Sequence, residues 1–143
     1  MNQITYAGKR LLTYSVSRHA HSAWELIYCT SGEGRLVFDS AALAYQAGDL
    51  VIIPPLTPHL NESEGGFTNI HLNFTDPQLP FREPVILHGD GNRFLLDAFQ
   101  AAFYVFSSDP GHSSRAYEHD HYLFGERHRE SDIFIFFLHV LPP

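Results

Sequence analysis

Between positions 4 and 74 the apolar residues come in short runs, interrupted every roughly 8–12 residues by turn signals, the habit of an all-β sandwich or barrel. Five segments rich in β-branched and aromatic residues read as strands: LLTYSVS (11–17), WELIYCT (24–30), GRLVFDS (34–40), DLVIIPP (49–55) and FTNIHLNF (67–74). The punctuation between them carries glycine, as SGEG at 31–34, QAGD at 46–49 and ESEGG at 62–66. TSGEGRL predicts a tight hairpin, because glycine accepts the positive φ of such a turn. Pro54, Pro55 and Pro58 cannot donate to a ladder, so PPLTPH is expected in a loop or at a sheet edge.

After Asp76 the pattern changes. DPQLPFREP reads as a connector, and helical spacing then places Leu95, Leu96, Phe99, Phe103 and Phe106 on one face of a helix over 94–106, with Asp90 or Asn92 as its N-cap. SSDPG stops it. Residues 111–143 are polar and histidine-bearing at first (His112, His119, His121, His128), then almost wholly apolar over 133–141, where periodicity does not separate strand from helix. The expected organisation is a β domain over 1–80, a connector and helix over 81–110, and an atypical tail over 111–143, disordered or aberrant in origin.

Composition narrows the functional classes. A chain of 143 residues is long enough for one domain with a real core. Its net charge of −7 is spread over both halves, which argues against direct nucleic-acid binding by this chain. One cysteine, Cys29, excludes an internal disulfide and fits a reducing compartment; as a small buried hydrophobe it is not expected to be a nucleophile. The N-terminus lacks a signal pattern and no apolar run approaches the ~18 residues of a membrane span, so a cytoplasmic protein is expected, with no membrane partner.

The chemistry concentrates in HAHSAWELIYCTSG, residues 19–32. If the chain is extended from 19 to 27, even-numbered steps put His19, His21 and Glu25 on one face with Ala23, Ile27 and Cys29, and Trp24, Leu26 and Tyr28 on the other. The first face is otherwise apolar, and a buried carboxylate needs a partner: a metal, a polar ligand, ordered water or a histidine. The second face needs a covering layer, for which the Phe-rich helix is the natural choice. The competing reading leaves His19 and His21 solvated on a loop before the strand. His71 and Asn73 share a face of FTNIHLNF and either reach the same cavity or face solvent. Arg18 and Arg35 could meet an anionic effector but are more often solvated at turns; Tyr14, Tyr28 and Tyr45 could stack on a sugar but more often pack in a core.

His-x-His, three residues, Glu, six residues, Gly resembles the first signature of the cupin superfamily, and Gly48, Pro54 and His59 match the second, with Leu56 in place of its Gly and Ser63 in place of its Asn. The wording around these motifs is similar to the N-terminal domain of AraC-type transcription regulators over about residues 5–107. The resemblance implies a cupin jelly-roll barrel followed by one or two helices, binding of a small effector (often a sugar) and homodimerisation. It also implies that His19, His21, Glu25 and His59 stand where metal-dependent cupins hold a metal. No helix-turn-helix domain follows within these residues, so the expectation is a sensor domain excised from, or truncated out of, a regulator.

Two functions compete on these residues. In the first, the chain is a non-enzymatic sensor: His19, His21, Glu25, His59 and His71 bind the effector, no cofactor is required, and binding acts through the barrel edge or an N-terminal arm, Met1–Lys9, on a DNA-binding partner. In the second, a free-standing cupin enzyme of isomerase or dioxygenase type, His19, His21, Glu25 and His59 hold a divalent metal (Zn, Ni, Fe or Mn). An inert fragment is a third reading, tied to an aberrant tail.

Overall fold

A computed structural model of the chain describes residues 3–75, 81–89, 93–108, 120–123 and 126–129, the last two stretches as backbone. Three long strands, β1 (Gln3–His19), β2 (Trp24–Phe38) and β5 (His59–Thr75), are joined by short β3 (Ala42–Gln46), β4 (Leu50–Ile53) and β6 (Val85–Leu87). A helix, α1, spans Phe94–Ser108, and β7 (Asp120–Leu123) pairs with β8 (Glu126–Arg129) as a separate antiparallel ribbon. Every described pairing is antiparallel. The main sheet runs β1-β5-β2-β4-β6, with β3 also on β2.

The long strands bend in the middle, and the sheet becomes two facing halves. One half pairs residues 3–13 of β1, 67–75 of β5 and 24–32 of β2, then β4 and β6; the other pairs 15–19, 59–62 and 35–38 with β3. Register shifts mark the bend in β1 between Arg10 and Ser15, and in β2 between Cys29 and Arg35. Here the expected hairpin at 31–34 is corrected. Gly32 does take positive φ (80°), as does Gly66 in β5 (88°), but each sits inside a continuous strand. A Cβ on Gly32 would lie 2.1 Å from the Gly66 carbonyl oxygen, so the two backbones touch where the strands fold over. Positive φ next to a register shift makes a bulge that bends a strand, and only a closed two-residue turn would have reversed it. ESEGG is likewise within β5.

The QAGD turn is where it was expected, joining β3 to β4, and the buried Asp49 carboxylate accepts bonds from the Gln46 and Gly89 backbone N–H groups (3.0 and 3.1 Å). PPLTP, residues 54–58, is the loop before β5, and His59 opens that strand.

Strand alternation divides the apolar residues into two cores. Trp24, Leu26, Tyr28, Leu50, Ile52, Ile70, Leu72 and Phe74 point outward from the first half-sheet and are covered by α1 through Ala98, Phe99, Ala102, Val105 and Phe106; Tyr28 stacks on Phe99 at 5.4 Å between centroids. The helix is the covering layer that the outer face demanded. Its buried stripe is rotated from the expected one: Ala98, Ala102 and Val105 are fully buried, whereas Leu95, Leu96 and Phe103 are partly so, because small residues allow closer seating on the sheet. Ile27, Cys29, Leu36, Phe38, Tyr45, Val51, Ile53 and Phe67 fill the space between the half-sheets. Asp90, Asn92, residues 111–119 and the 133–141 run lie outside the described residues. Among the described residues no helix is long and apolar enough to cross a membrane.

Candidate functional site

The four predicted ligand-type residues meet at one open end, between the half-sheets. They arrive differently from the expected single strand. His19 ends β1, His21 lies in the link 20–23, and Glu25 is the second residue of β2. Strand β5 separates β1 from β2, so this link carries the chain from one half-sheet to the other, and His19 pairs with His59 while Glu25 pairs with Asn73 and Ile53. The convergence comes from that crossing, and the link is held by the Leu56 N–H, which donates to the His21 carbonyl at 2.7 Å. Leu56 has φ of 59° at the position where the resemblance expects Gly.

Glu25 Oε2 lies 3.2 Å from His21 Nε2 and 3.5 Å from His59 Nε2. The His19 ring is 4.4 Å from that of His59 and 4.9 Å from that of His21, between centroids. His19 and His59 each donate Nδ1–H to a carbonyl two residues back (Ser17 and Thr57, both 2.8 Å), which fixes the tautomer that leaves an Nε2 lone pair. Glu25 and His59 are buried, and neither Glu25 Oε2 nor His59 Nε2 has a well-angled hydrogen bond. Burial opposes ionisation of Glu25, but the His21 and His59 imidazoles outweigh it and hold its pKa down to about 2. The reciprocal effect raises His21, through the adjacent Glu25 carboxylate against the cost of burial.

This donor set fits a divalent metal. One ligand atom each from His19, His21 and Glu25 lies within 4.8 Å of the others. Two ligands about 2.1 Å from a tetrahedral ion stand about 3.4 Å apart, the spacing of Glu25 from both of its imidazole neighbours. A hollow of about 10 Å³, lined by His19, Glu25, His59, Asn61 and Asn69 among others, adjoins them.

Outside this hollow opens a cavity of about 470 Å³, lined by Thr5, Tyr6, Arg10, His21, Ser22, Ala23, Glu25, His71 and Asn73. His71 and Asn73 therefore face the cavity and not solvent. His71 bonds through Nδ1 to Asn69 Oδ1 (3.0 Å), stacks on Tyr6 (5.7 Å), and is kept neutral by burial, with a pKa of about 4. Asn73 donates to the Trp24 carbonyl at 3.4 Å.

The remaining candidates stand away from this cavity, and Tyr28, Tyr45, Arg18 and Arg35 take the commoner roles expected of them, core packing and the solvated surface. Tyr14 is exposed on β1, Tyr28 lies under α1, and Tyr45 is buried with its hydroxyl donating to Asn61 Oδ1, so none of the three lines it. Arg18 and Arg35 pair with Asp39 and Glu62 at the surface. Cys29 is buried, its thiol pushed up to about 11 by burial, in keeping with an inert side chain. Sequence reasoning missed Thr5, Tyr6 and Arg10, because the first strand was begun at position 11. The available signal was the alternation Tyr6, Gly8, Arg10, which continues the strand pattern backward. The histidines of the tail lie outside the described side chains.

Residues 3–80 match the family model of the AraC-like ligand binding domain. No curated protein sequence matches the chain. Among solved structures, the chain is similar to YhaK from Escherichia coli, with 12% identity, a TM-score of 0.55, and coverage of 64% of this chain and 45% of that one. It is similar also to a cupin-2 domain protein from Shewanella frigidimarina (18% identity, TM-score 0.41, 46% and 64% covered). An RmlC-like cupin from the same organism aligns at 21% identity with a TM-score of 0.45, covering 54% and 77%. The chain thus spans less than two thirds of the first two. At 12% identity the likeness to YhaK bears on the fold alone.

Proposed function

Because the chain belongs to the family of AraC-like ligand binding domains, a cupin barrel by fold, we propose that it is the effector-sensing part of an AraC-type transcription regulator. The observation that carries this reading is the cavity of about 470 Å³, within the size of small-molecule sites, whose polar groups converge at one end of an otherwise apolar barrel. His21, Glu25 and His71 line that cavity, and His19 and His59 stand behind Glu25. A sugar-sized effector fits, with hydroxyls bonded by Ser22, Asn73 and the imidazoles. A divalent metal held by His19, His21, Glu25 and His59 would supply a Lewis-acidic anchor for an effector oxygen. Dimerisation through α1, which leaves Phe94 and Tyr104 exposed, and a cytoplasmic location complete the reading. DNA contact belongs to a separate helix-turn-helix domain, since a charge of −7 does not suit this one.

The donor set equally suits a metal-dependent cupin enzyme of isomerase or dioxygenase type, the second reading. Elemental analysis of protein prepared without a nickel column, together with a thermal-shift screen of sugars, separates the two. Stabilisation by one sugar without turnover, weakened by Glu25→Ala, is the expected result. Stoichiometric metal with turnover of a sugar overturns the sensing role.

A further inference from the structure

We propose that the effector carries a carboxylate and that Arg10 is the group that receives it. The inference rests on the sensing reading and sharpens it from a sugar to a sugar acid.

Residues 1–80 hold four basic side chains besides histidine, and three are accounted for. Arg18 pairs with Asp39 and Arg35 with Glu62, while Lys9 lies over the Phe103 ring with its ammonium 4.7 Å from the centroid. Arg10, next along the strand, points the other way, as alternation requires. It lines both the large cavity and the small hollow, is half-buried, and makes no ion pair among the described residues. A guanidinium taken partly out of water without a partner is unfavourable, and its five donors can be met in pairs by a carboxylate.

The cavity does not provide that carboxylate. Its one acidic residue, Glu25, is engaged by His21 and His59. The remaining wall offers the stacked Tyr6 and His71 rings and the short polar groups of Thr5, Ser22 and Asn73. A flat surface, hydroxyl partners and one free cation describe the complement of a polyhydroxylated carboxylate.

Calorimetric titration tests this with D-glucuronate, D-galacturonate and D-gluconate, each beside its neutral counterpart (D-glucose, D-galactose, D-sorbitol), on the unaltered chain, Arg10→Gln and the surface control Arg35→Gln. The expected result is that one acid binds at least about tenfold tighter than its neutral counterpart, that Arg10→Gln removes the margin, and that Arg35→Gln keeps it. Should Arg10→Gln fail to fold, acetate titrated into the unaltered chain and followed at the Arg10 Nε–H resonance gives the same decision: a saturable shift supports the proposal and no shift refutes it. A neutral sugar that binds as well as its acid, equally in Arg10→Gln, overturns the carboxylate while leaving the sensing reading intact. Binding by none of the six probes overturns the sugar-acid proposal.

Discussion

His71 provides a direct measurement of how dry the inner face of the barrel is. The ring is only 9% exposed, bonds through Nδ1 to Asn69 Oδ1, and sits so close to β1 that a Cβ on Gly8 would be 2.5 Å from its Nε2. Burial dominates its titration; Glu25 pulls upward, and Arg10, His21 and His19 push down, leaving a pKa of about 4 against 6.5 for a free imidazole. The folded state thus keeps His71 neutral where the unfolded chain already protonates it. As pH falls below 6.5 the unfolded state binds the extra proton and stability drops, until below pH 4 both states are charged and the loss levels off.

The penalty grows to about 2 kcal/mol at pH 5 and saturates near about 3 kcal/mol, since each pKa unit is worth about 1.4 kcal/mol. His71→Gln keeps a donor for Asn69 and removes the titration. Urea unfolding of both proteins with a chelator present, at pH 7 and pH 5, gives a double difference in which the other titrating groups largely cancel. The gap between the original and the variant is expected to move by about 2 kcal/mol in favour of the variant at pH 5. A gap that stays within about 0.5 kcal/mol between the two pH values, or an imidazole resonance for His71 that titrates above pH 6, refutes the buried neutral assignment.

Three further substitutions test the frame that holds the site. Leu56→Gly should stabilise by about 0.5–1 kcal/mol in thermal or urea unfolding, because relief of left-handed strain (about 1–2 kcal/mol) exceeds the added entropy of glycine, and a side chain 74% exposed contributes little packing. Gly32→Ala should cost at least about 2 kcal/mol by the same assay, since it combines unfavourable φ with a 2.1 Å approach to the Gly66 carbonyl; a neutral result would mean that the two strands do not bend together. Phe99→Ala should cost about 3–5 kcal/mol and redden the tryptophan emission, because Phe99 is fully buried in the core that also holds Trp24; an unchanged midpoint would detach α1 from the sheet.

Legibility of the sequence followed the range of each signal. Outward Trp24, Leu26 and Tyr28 and inward Ile27 and Cys29 were readable because period-two alternation is local to one strand. The motif spacing likewise singled out His19, His21, Glu25 and His59, which the fold brings together. What failed depended on partners distant in sequence. SGEG reads as a reversal in isolation, and only the apposed Gly66 backbone makes it a bend. His19 and Glu25 were expected on one strand, whereas β5, forty residues downstream, supplies the ladder that separates their strands. Arg10 was passed over for a related reason: a solitary cation gains meaning only when Arg18 and Arg35 are seen to be paired off elsewhere.

The N-terminal arm expected over Met1–Lys9 as one route for the effector's signal is, within the described residues, part of the barrel. From Gln3 onward it is strand β1, paired with β5 from Thr75 back to Asn69. Its inward side chains form one wall of the cavity and its outward ones meet the helix: Lys9 over Phe103, with Ile4 and Ala7 in the core beneath α1. Tyr6 belongs to both sides, 5.7 Å from the His71 ring and 6.4 Å from the Phe106 ring between centroids. Tyr6 is itself 52% exposed, so these two ring contacts are what hold its side chain in place. In the sensing reading, a ligand that moved Tyr6 would bear on the seat of α1 through the Phe106 ring. An allosteric coupling of the usual 1–3 kcal/mol then requires only that Phe106 pack differently against the two positions of Tyr6, a smaller change than unpairing a strand with a ladder along much of its length.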